Sequence, residues 1–338
     1  AGDLTYLWNR YNNSKNLMKR VLSGIQPSGQ LHLGNYFGMM SRMIHYQEEN
    51  DLFAFIVNYH ALTSIQNREI LRENTFSAAC DFLALGLDPE KSTFWIQGDV
   101  PQVTELTWLL SNVVNVGLLQ RSTSYKDKIA QGVAPNMGLF SYPILMAADI
   151  LLFGSEKVPV GKDQKQHLEM AQDMATRFNN TFGDVFIVPE PDIDKETQLV
   201  PGIDGQKMSK SYGNTIPVFC NEKILKKKVM SIVTDSTPID EPKGTDSPIF
   251  QIYSLFLDKK EKKELTNRFK TPGLKYGDVK KEIFERIWTH FEPFRNKRNY
   301  LKNHNDYVKN VLKEGAQKAS AVGNDYLSRA REAMGLNY

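Results

Sequence analysis

The sequence predicts an α/β protein: a doubly wound parallel sheet followed by an all-helical C-terminal domain. Three observations carry that expectation. Strand-like apolar runs alternate with helical periods through residue 188. One of these runs, residues 53–57, is apolar throughout, as a parallel strand covered on both faces requires. After about Pro217 the strand signals fade and Lys-rich helical stretches replace them.

Taken in order, residues 21–25 read as a buried strand entering a glycine turn. Tyr36, Met40, Met43 and Ile44 recur at helical spacing between residues 35 and 47. A helix over residues 69–85 is closed by Gly86. Residues 94–96 and 185–188 read as further strands, the second stopped by Pro189. Pro143 suits the first position of a helix. On that helix Tyr142, Met146 and Asp149 are four and three apart and share a face. A helix over residues 164–178 has Asp163 before it as a candidate cap. Helices are then expected over residues 221–233, 247–257, 259–269 and 276–294, and from residue 298 onward. This divides the chain into a sheet domain at 18–218 and a helical domain at 219–338, whose last helix can pack back on the sheet. Residues 1–17 are polar and Asn-rich and read as a leader or extension, with Met18 as the natural start.

The chain has 338 residues, enough for two such domains. No stretch approaches the ~20 apolar residues of a membrane span; the longest apolar run, residues 145–153, is broken by Asp149. Cys80 and Cys220 lie far apart without a CxxC partner. That argues against a disulfide framework and a zinc site, and fits a reducing, cytoplasmic compartment. The net charge of +3 is unevenly spread. Residues 219–338 hold 24 Lys and Arg against 16 Asp and Glu, whereas the remainder holds 18 against 23. Such a basic segment fits a polyanion partner, or equally a solvated helical surface.

Two segments carry chemistry. The first is the turn from Gly24 to Asn35, where Gly24, Gly29 and Gly34 allow close backbone approach. A helix opening near Gly34 aims backbone N–H groups at an anion, and Gln26, Ser28, His32 and Asn35 can add side-chain donors. The turn is not GxGxxG and lacks the P-loop lysine. The second is Lys207, Met208, Ser209, Lys210 and Ser211, followed by Gly213. Two lysines three apart in such a loop suit a phosphate chain, although a Lys/Ser loop alone is often plain surface. Asp149 stands apart: an aspartate on an apolar helix face is costly unless paired.

Together the His32–x–Gly34–Asn35 turn and the Lys-Met-Ser-Lys-Ser loop resemble the paired signatures of class I aminoacyl-tRNA synthetases. Residues 24–29, 146–151 and 158–167 further resemble the bacterial-type tryptophanyl family, and the likeness runs from about Lys19 to Gly335. Asn35 stands where the wider class has a second histidine; it can bond a phosphate but cannot act as an acid.

The resemblance implies a Rossmann-like catalytic domain, a homodimer, and two substrates beside tRNA(Trp): L-tryptophan, and ATP carrying Mg2+. It implies ATP contacts at Gln26, Pro27, Ser28, Gly34, Asn35, Gly161, Lys162, Asp163, Val200, Lys207, Met208, Ser209, Lys210 and Ser211. Lys207, Lys210, Lys128, Gln26 and Asn35 would act on the phosphates. Asp149 would accept the indole N–H, with Leu22, Val57, His60, Met146, Val158 and Val160 around the ring. Tyr142 and Gln164 would face the amino and carboxyl groups. Trp288, Phe291, Phe294, Arg295 and Arg298 form the richest aromatic–arginine mixture for splayed RNA bases, although helix packing also accounts for them. Three other readings stay open: a tyrosyl enzyme of the same fold, a small-molecule nucleotidyltransferase, and a non-catalytic paralogue that binds tryptophan or RNA.

Overall fold

The structure, a computed structural model, describes residues 18–130, 132, 134–161, 164–193 and 199–338. Among these the chain forms two compact units. One gathers the described residues within Ala1–Ser28, Met43–Lys195 and His304–Tyr338; the other gathers those within Gly29–Arg42 and Glu196–Asn303. The signature turn from Gly29 onward thus groups with the helical segment, and the final helix groups with the sheet.

The first unit contains a five-stranded sheet: β1 (Arg20–Ile25), β2 (Asp51–Ile56), β3 (Thr93–Ile96), β4 (Lys157–Val160) and β5 (Glu190–Ile193). Their order is β3-β2-β1-β4-β5, and every pairing is parallel. Strand order reverses between β1 and β4, and ligands in such sheets bind beyond the carboxyl ends of the strands at that reversal. Gln26 follows the end of β1, and Gly161 follows the end of β4. All six residues of β2 are buried, as its apolar run requires. Trp95 of β3 anchors the core, stacked on Phe55 at 5.1 Å and edge-on to Phe153 at 4.9 Å.

Helix Arg68–Ala84 starts where Asn67 accepts the Ile70 N–H and ends before Gly86, whose φ of 115° only glycine adopts readily. Helix Gln102–Ser111 packs on helix Met137–Leu152. The final helix, Asn305–Ala333, lies against β3 so closely that a Cβ at Gly315 would fall on the Phe94 carbonyl. No described helix is long and apolar enough to cross a membrane.

In the second unit the helices are Glu222–Met230, Pro248–Ser254, Lys259–Lys270, Tyr276–His290 and Glu292–Asn303. Phe291 is fully buried, edge-on to Tyr36 at 5.0 Å, and a ring of Phe37, Phe256 and His290 surrounds the pair.

Several expected elements fall differently. The residues expected as a strand at 185–188 are irregular, because Asn179 takes the Val185 and Phe186 N–H groups with its side-chain oxygen. Those donors are therefore lost to any ladder, and the strand forms later, at Glu190–Ile193. Pro143 does not open its helix; Asn136 caps it seven residues earlier by accepting the Leu139 N–H at 2.9 Å. The helix expected over 276–294 stops at His290, since Pro293 cannot continue it and instead sits in the first turn of the next helix. The segment expected as one helix near residues 35–47 is a π-helical turn, Tyr36–Met40, between short α-helical pieces.

Candidate active site

In the sheet-bearing unit, Asp149 is 3% exposed on helix Met137–Leu152. Its carboxylate is paired twice. His60 donates from Nε2 to Oδ2 at 2.7 Å, and the Gln97 amide nitrogen reaches Oδ1 at 2.9 Å and Oδ2 at 2.8 Å. Burial raises the Asp149 pKa, and the His60 and Gln97 hydrogen bonds pull it back. A carboxylate has about four lone-pair positions, so capacity remains for one further donor.

Tyr142 lies one turn before Met146 on the same helix, its ring 4.3 Å from that of His60. Burial and then the Asp149 charge push its phenol pKa up, while a hydrogen bond with the Gln26 side chain lowers it. Leu22, Val57, Val158 and Val160 are all buried in the apolar core, with Met146 partly buried against it. The residues expected around a tryptophan ring thus belong to the core of this unit, in which His60 bonds Asp149 and Gln26 bonds Tyr142.

Gln164 precedes helix Lys165–Phe182, with its N–H bonded to the Gly161 carbonyl at 3.0 Å. Its side-chain oxygen faces His167 Nδ1 at 3.1 Å, and His167 Nε2 faces the Ser124 hydroxyl at 2.8 Å. Ser124 belongs to helix Thr123–Ala130, which also carries Lys128, a half-buried residue. Lys162 and Asp163 lie outside the described residues.

The other unit holds both signature segments beyond Ser28. Leu33 N–H bonds the Ile216 carbonyl at 3.0 Å, and Val218 N–H bonds the Leu31 carbonyl at 3.0 Å. Segments nearly two hundred positions apart in sequence thereby form a short antiparallel pair. The Asn35 side-chain oxygen accepts the His32 N–H at 3.2 Å and fixes the turn. Gly34 N–H points at the Met208 sulfur, 3.3 Å away, and Met208 is buried. The His32 pKa is held down to about 4, first by burial and then by the Lys210 charge. Burial also lowers the Lys210 pKa.

The lysine loop is shaped by residues that sequence inspection passed over. Asn214, 2% exposed, accepts the Ser209 N–H at 2.8 Å. Its amide donates to Asp204 at 2.8 Å and to the Lys207 carbonyl at 3.0 Å. Val200 accepts the Met208 N–H at 2.9 Å, and Ser209 and Ser211 share a hydroxyl contact at 2.8 Å. Lys207 itself is exposed. Gly213, at φ 65°, closes the 3-10 turn Lys210–Tyr212. Gln97, His167 and Asn214 are thus the additions of the structure. Asn214, just after a glycine, was the one with a local signal.

Trp288, Arg295 and Arg298 line a cavity of about 450 Å³ in the second unit. The Arg295 guanidinium lies 3.5 Å over the Trp288 ring, and Arg298 lies 4.8 Å over Phe219. Phe291 is core, and Phe294 is half-buried against it. Among the described residues no group of three or more His, Cys, Asp or Glu could hold a metal ion.

A parallel sheet of this order, a buried aspartate bonded to a histidine and a glutamine, and a paired turn-and-lysine-loop unit agree with comparison to known proteins. The model of the family "tRNA synthetases class I (W and Y)" matches residues 15–292. The chain belongs to that family. Within it, the chain is 53% identical over 320 residues to a tryptophan–tRNA ligase of Fusobacterium nucleatum, covering 94% of this chain and 98% of the relative. It is 49% identical to the tryptophan–tRNA ligase of Campylobacter jejuni, covering 94% and 100%. A crystal structure of the Campylobacter jejuni tryptophanyl-tRNA synthetase complexed with ADP and tryptophan superposes with a TM-score of 0.90 at 49% identity, covering 94% of this chain and 99% of that one.

Proposed function

We infer that the chain is a tryptophan–tRNA ligase. It activates L-tryptophan with ATP to tryptophanyl-adenylate and pyrophosphate, then transfers tryptophan to the 3′-terminal adenosine of tRNA(Trp). The observation that carries this reading is the near-full-length likeness to tryptophan–tRNA ligases, combined with a buried acceptor, Asp149, on an apolar helix. Indole has one polar atom, and it is a donor. Phenylalanine would leave the buried acceptor short of a donor, so its rejection is strong.

In the first step the tryptophan carboxylate attacks the α-phosphorus and pyrophosphate leaves. Acid–base chemistry is minor; alignment and charge stabilisation carry the rate. His32, held neutral near pH 7, donates no charge of its own. Lys207 and Lys210 meet the negative charge of the leaving pyrophosphate, with Mg2+ arriving on ATP. Lys128 and Gln26 add further phosphate contacts, and Asn35 fixes the turn. Lys162, Asp163 and Gly161 are assigned to the ATP ribose side. Tyr142 and Gln164 take the amino and carboxyl end of tryptophan.

The basic helical unit is assigned to tRNA. Arginines laid on aromatic faces, as at Trp288, are a surface on which a splayed base can stack. The reading includes a homodimer in the cytoplasm, as the family resemblance implies.

The test is ATP–pyrophosphate exchange with each of the twenty amino acids, followed by charging of total tRNA. Exchange driven by tryptophan alone, with charging of one isoacceptor group, is the expected result. Exchange driven by tyrosine would make it the tyrosyl enzyme instead. Tryptophan binding with exchange at background would make it a non-catalytic binder.

A further inference from the structure

We propose that Gln97 is the positioning residue that fixes the Asp149 carboxylate as an indole acceptor, and so sets amino-acid selectivity. The proposal rests on the reading of Asp149 given above and adds to it a residue outside the ring-lining set.

Gln97 is 1% exposed and follows the end of β3. Its amide can be oriented without ambiguity. The side-chain oxygen accepts two backbone N–H groups, from Tyr59 at 3.0 Å and from His60 at 3.4 Å. The nitrogen must therefore face the carboxylate, where it spans both oxygens. One side chain thus ties together three pieces of chain: the end of β3, the helical turn Asn58–Ala61 that carries His60, and helix Met137–Leu152 that carries Asp149. His60 holds only Oδ2, so without Gln97 the carboxylate keeps a single pivot. It could then rotate about χ2, which is a broad torsion in aspartate. A rotated carboxylate has the same charge but offers its open lone pair in another direction. Gln97 also helps keep the carboxylate ionised in a buried site, because a donor favours the charged form.

The titratable groups facing position 97 are Asp149 from the helix and His60 from the turn. The Gln97→Glu variant therefore provides a diagnostic. The introduced carboxyl is isosteric with the amide. When protonated it donates an O–H to Asp149 and leaves the packing unchanged. When ionised it repels Asp149 and removes the donor. Two carboxylates sharing a buried site titrate apart, with one held protonated well above its usual range.

The experiment measures KM for tryptophan and for ATP, kcat, and the tryptophan-over-phenylalanine ratio of kcat/KM between pH 6 and 9. It compares the unaltered enzyme with Gln97→Glu, Gln97→Met and Asp149→Asn. We expect Gln97→Glu to match the unaltered enzyme at the acid end and to lose at least about tenfold in KM for tryptophan as pH rises. Gln97→Met should lose about tenfold at every pH, with KM for ATP unchanged in both variants. A Gln97→Glu enzyme whose tryptophan KM follows the unaltered enzyme throughout would overturn the proposal. So would a loss shared equally by the tryptophan and ATP constants, which is the mark of a merely structural role. If Asp149→Asn leaves the tryptophan-over-phenylalanine ratio unchanged, the acceptor reading itself fails. If that ratio collapses while both Gln97 variants keep theirs, only the role of Gln97 fails.

Discussion

His32 shows how one residue can be both signature and structure. It is 7% exposed, and its imidazole is held neutral down to a pKa of about 4, by burial and by Lys210. An unfolded chain takes up that proton near pH 6.5. Folding therefore excludes a proton that the unfolded state binds, and the stabilisation is full above pH 6.5 and lost as pH falls toward 4. Denaturant melts at pH 7 and pH 5 should show a larger loss for the unaltered chain than for His32→Gln, with the difference at most about 2 kcal/mol. Equal losses would show that His32 titrates alike in both states. At this scale the sequence was legible where a residue broke a pattern: Asp149 on an apolar face, glycines in a turn, paired lysines. Gln97 and His167 broke none. A glutamine after an apolar strand reads as the end of that strand, and a histidine within a helix reads as ordinary. Their roles come from partners 52 and 43 positions away.

At the scale of elements, strands β1, β2 and β3 and helix Arg68–Ala84 were legible because burial and caps write themselves into local composition. What misled was competition for backbone groups. The 185–188 run has strand composition, yet one helical asparagine takes its donors. Strand β5 has the unpromising sequence Glu-Pro-Asp-Ile, and its pairing to β4 decides it. Tertiary context overrides propensity in both cases. The same logic predicts opposite outcomes for one substitution at two sites. Gly315→Ala would drive a Cβ into the Phe94 carbonyl, so helix Asn305–Ala333 must lift from β3. It should destabilise by about 3 kcal/mol. Gly277→Ala, in helix Tyr276–His290 with nothing within 4 Å of the added carbon, should stabilise by about 0.5 kcal/mol. Thermal or urea midpoints that move the same way for both would contradict this account.

At the scale of the whole molecule, the chain assigns different tasks to different compact units. Asp149, His60 and Gln97 belong to one unit, and His32, Met208 and Lys210 to the other. Damage to the second should therefore spare tryptophan binding. Replacing Lys207 and Lys210 together by Ala should lower kcat for adenylate formation by about 10²-fold or more, while the tryptophan Kd, read by equilibrium titration, stays within about twofold. Parallel losses would mean that the lysines serve binding and catalysis alike. The composition gradient anticipated a basic helical segment. It could not show that the signature turn groups with it, because the Leu33–Ile216 and Leu31–Val218 pairings are backbone bonds that any side chains would allow.

The docking of Asn305–Ala333 on β3 has a consequence for how the protein is made. The face of β3 that this helix covers emerges early in synthesis, but its cover lies beyond residue 303. While the intervening residues are still being added, the β3 backbone at Phe94 that Gly315 approaches stays uncovered, although the Phe94 ring already has Phe82 of helix Arg68–Ala84 beside it. The sheet can pair early, but its burial is completed late, through contacts of long sequence separation that form slowly. A ribosome stalled short of that helix would display an apolar flank, a natural target for chaperones that recognise unfinished chains.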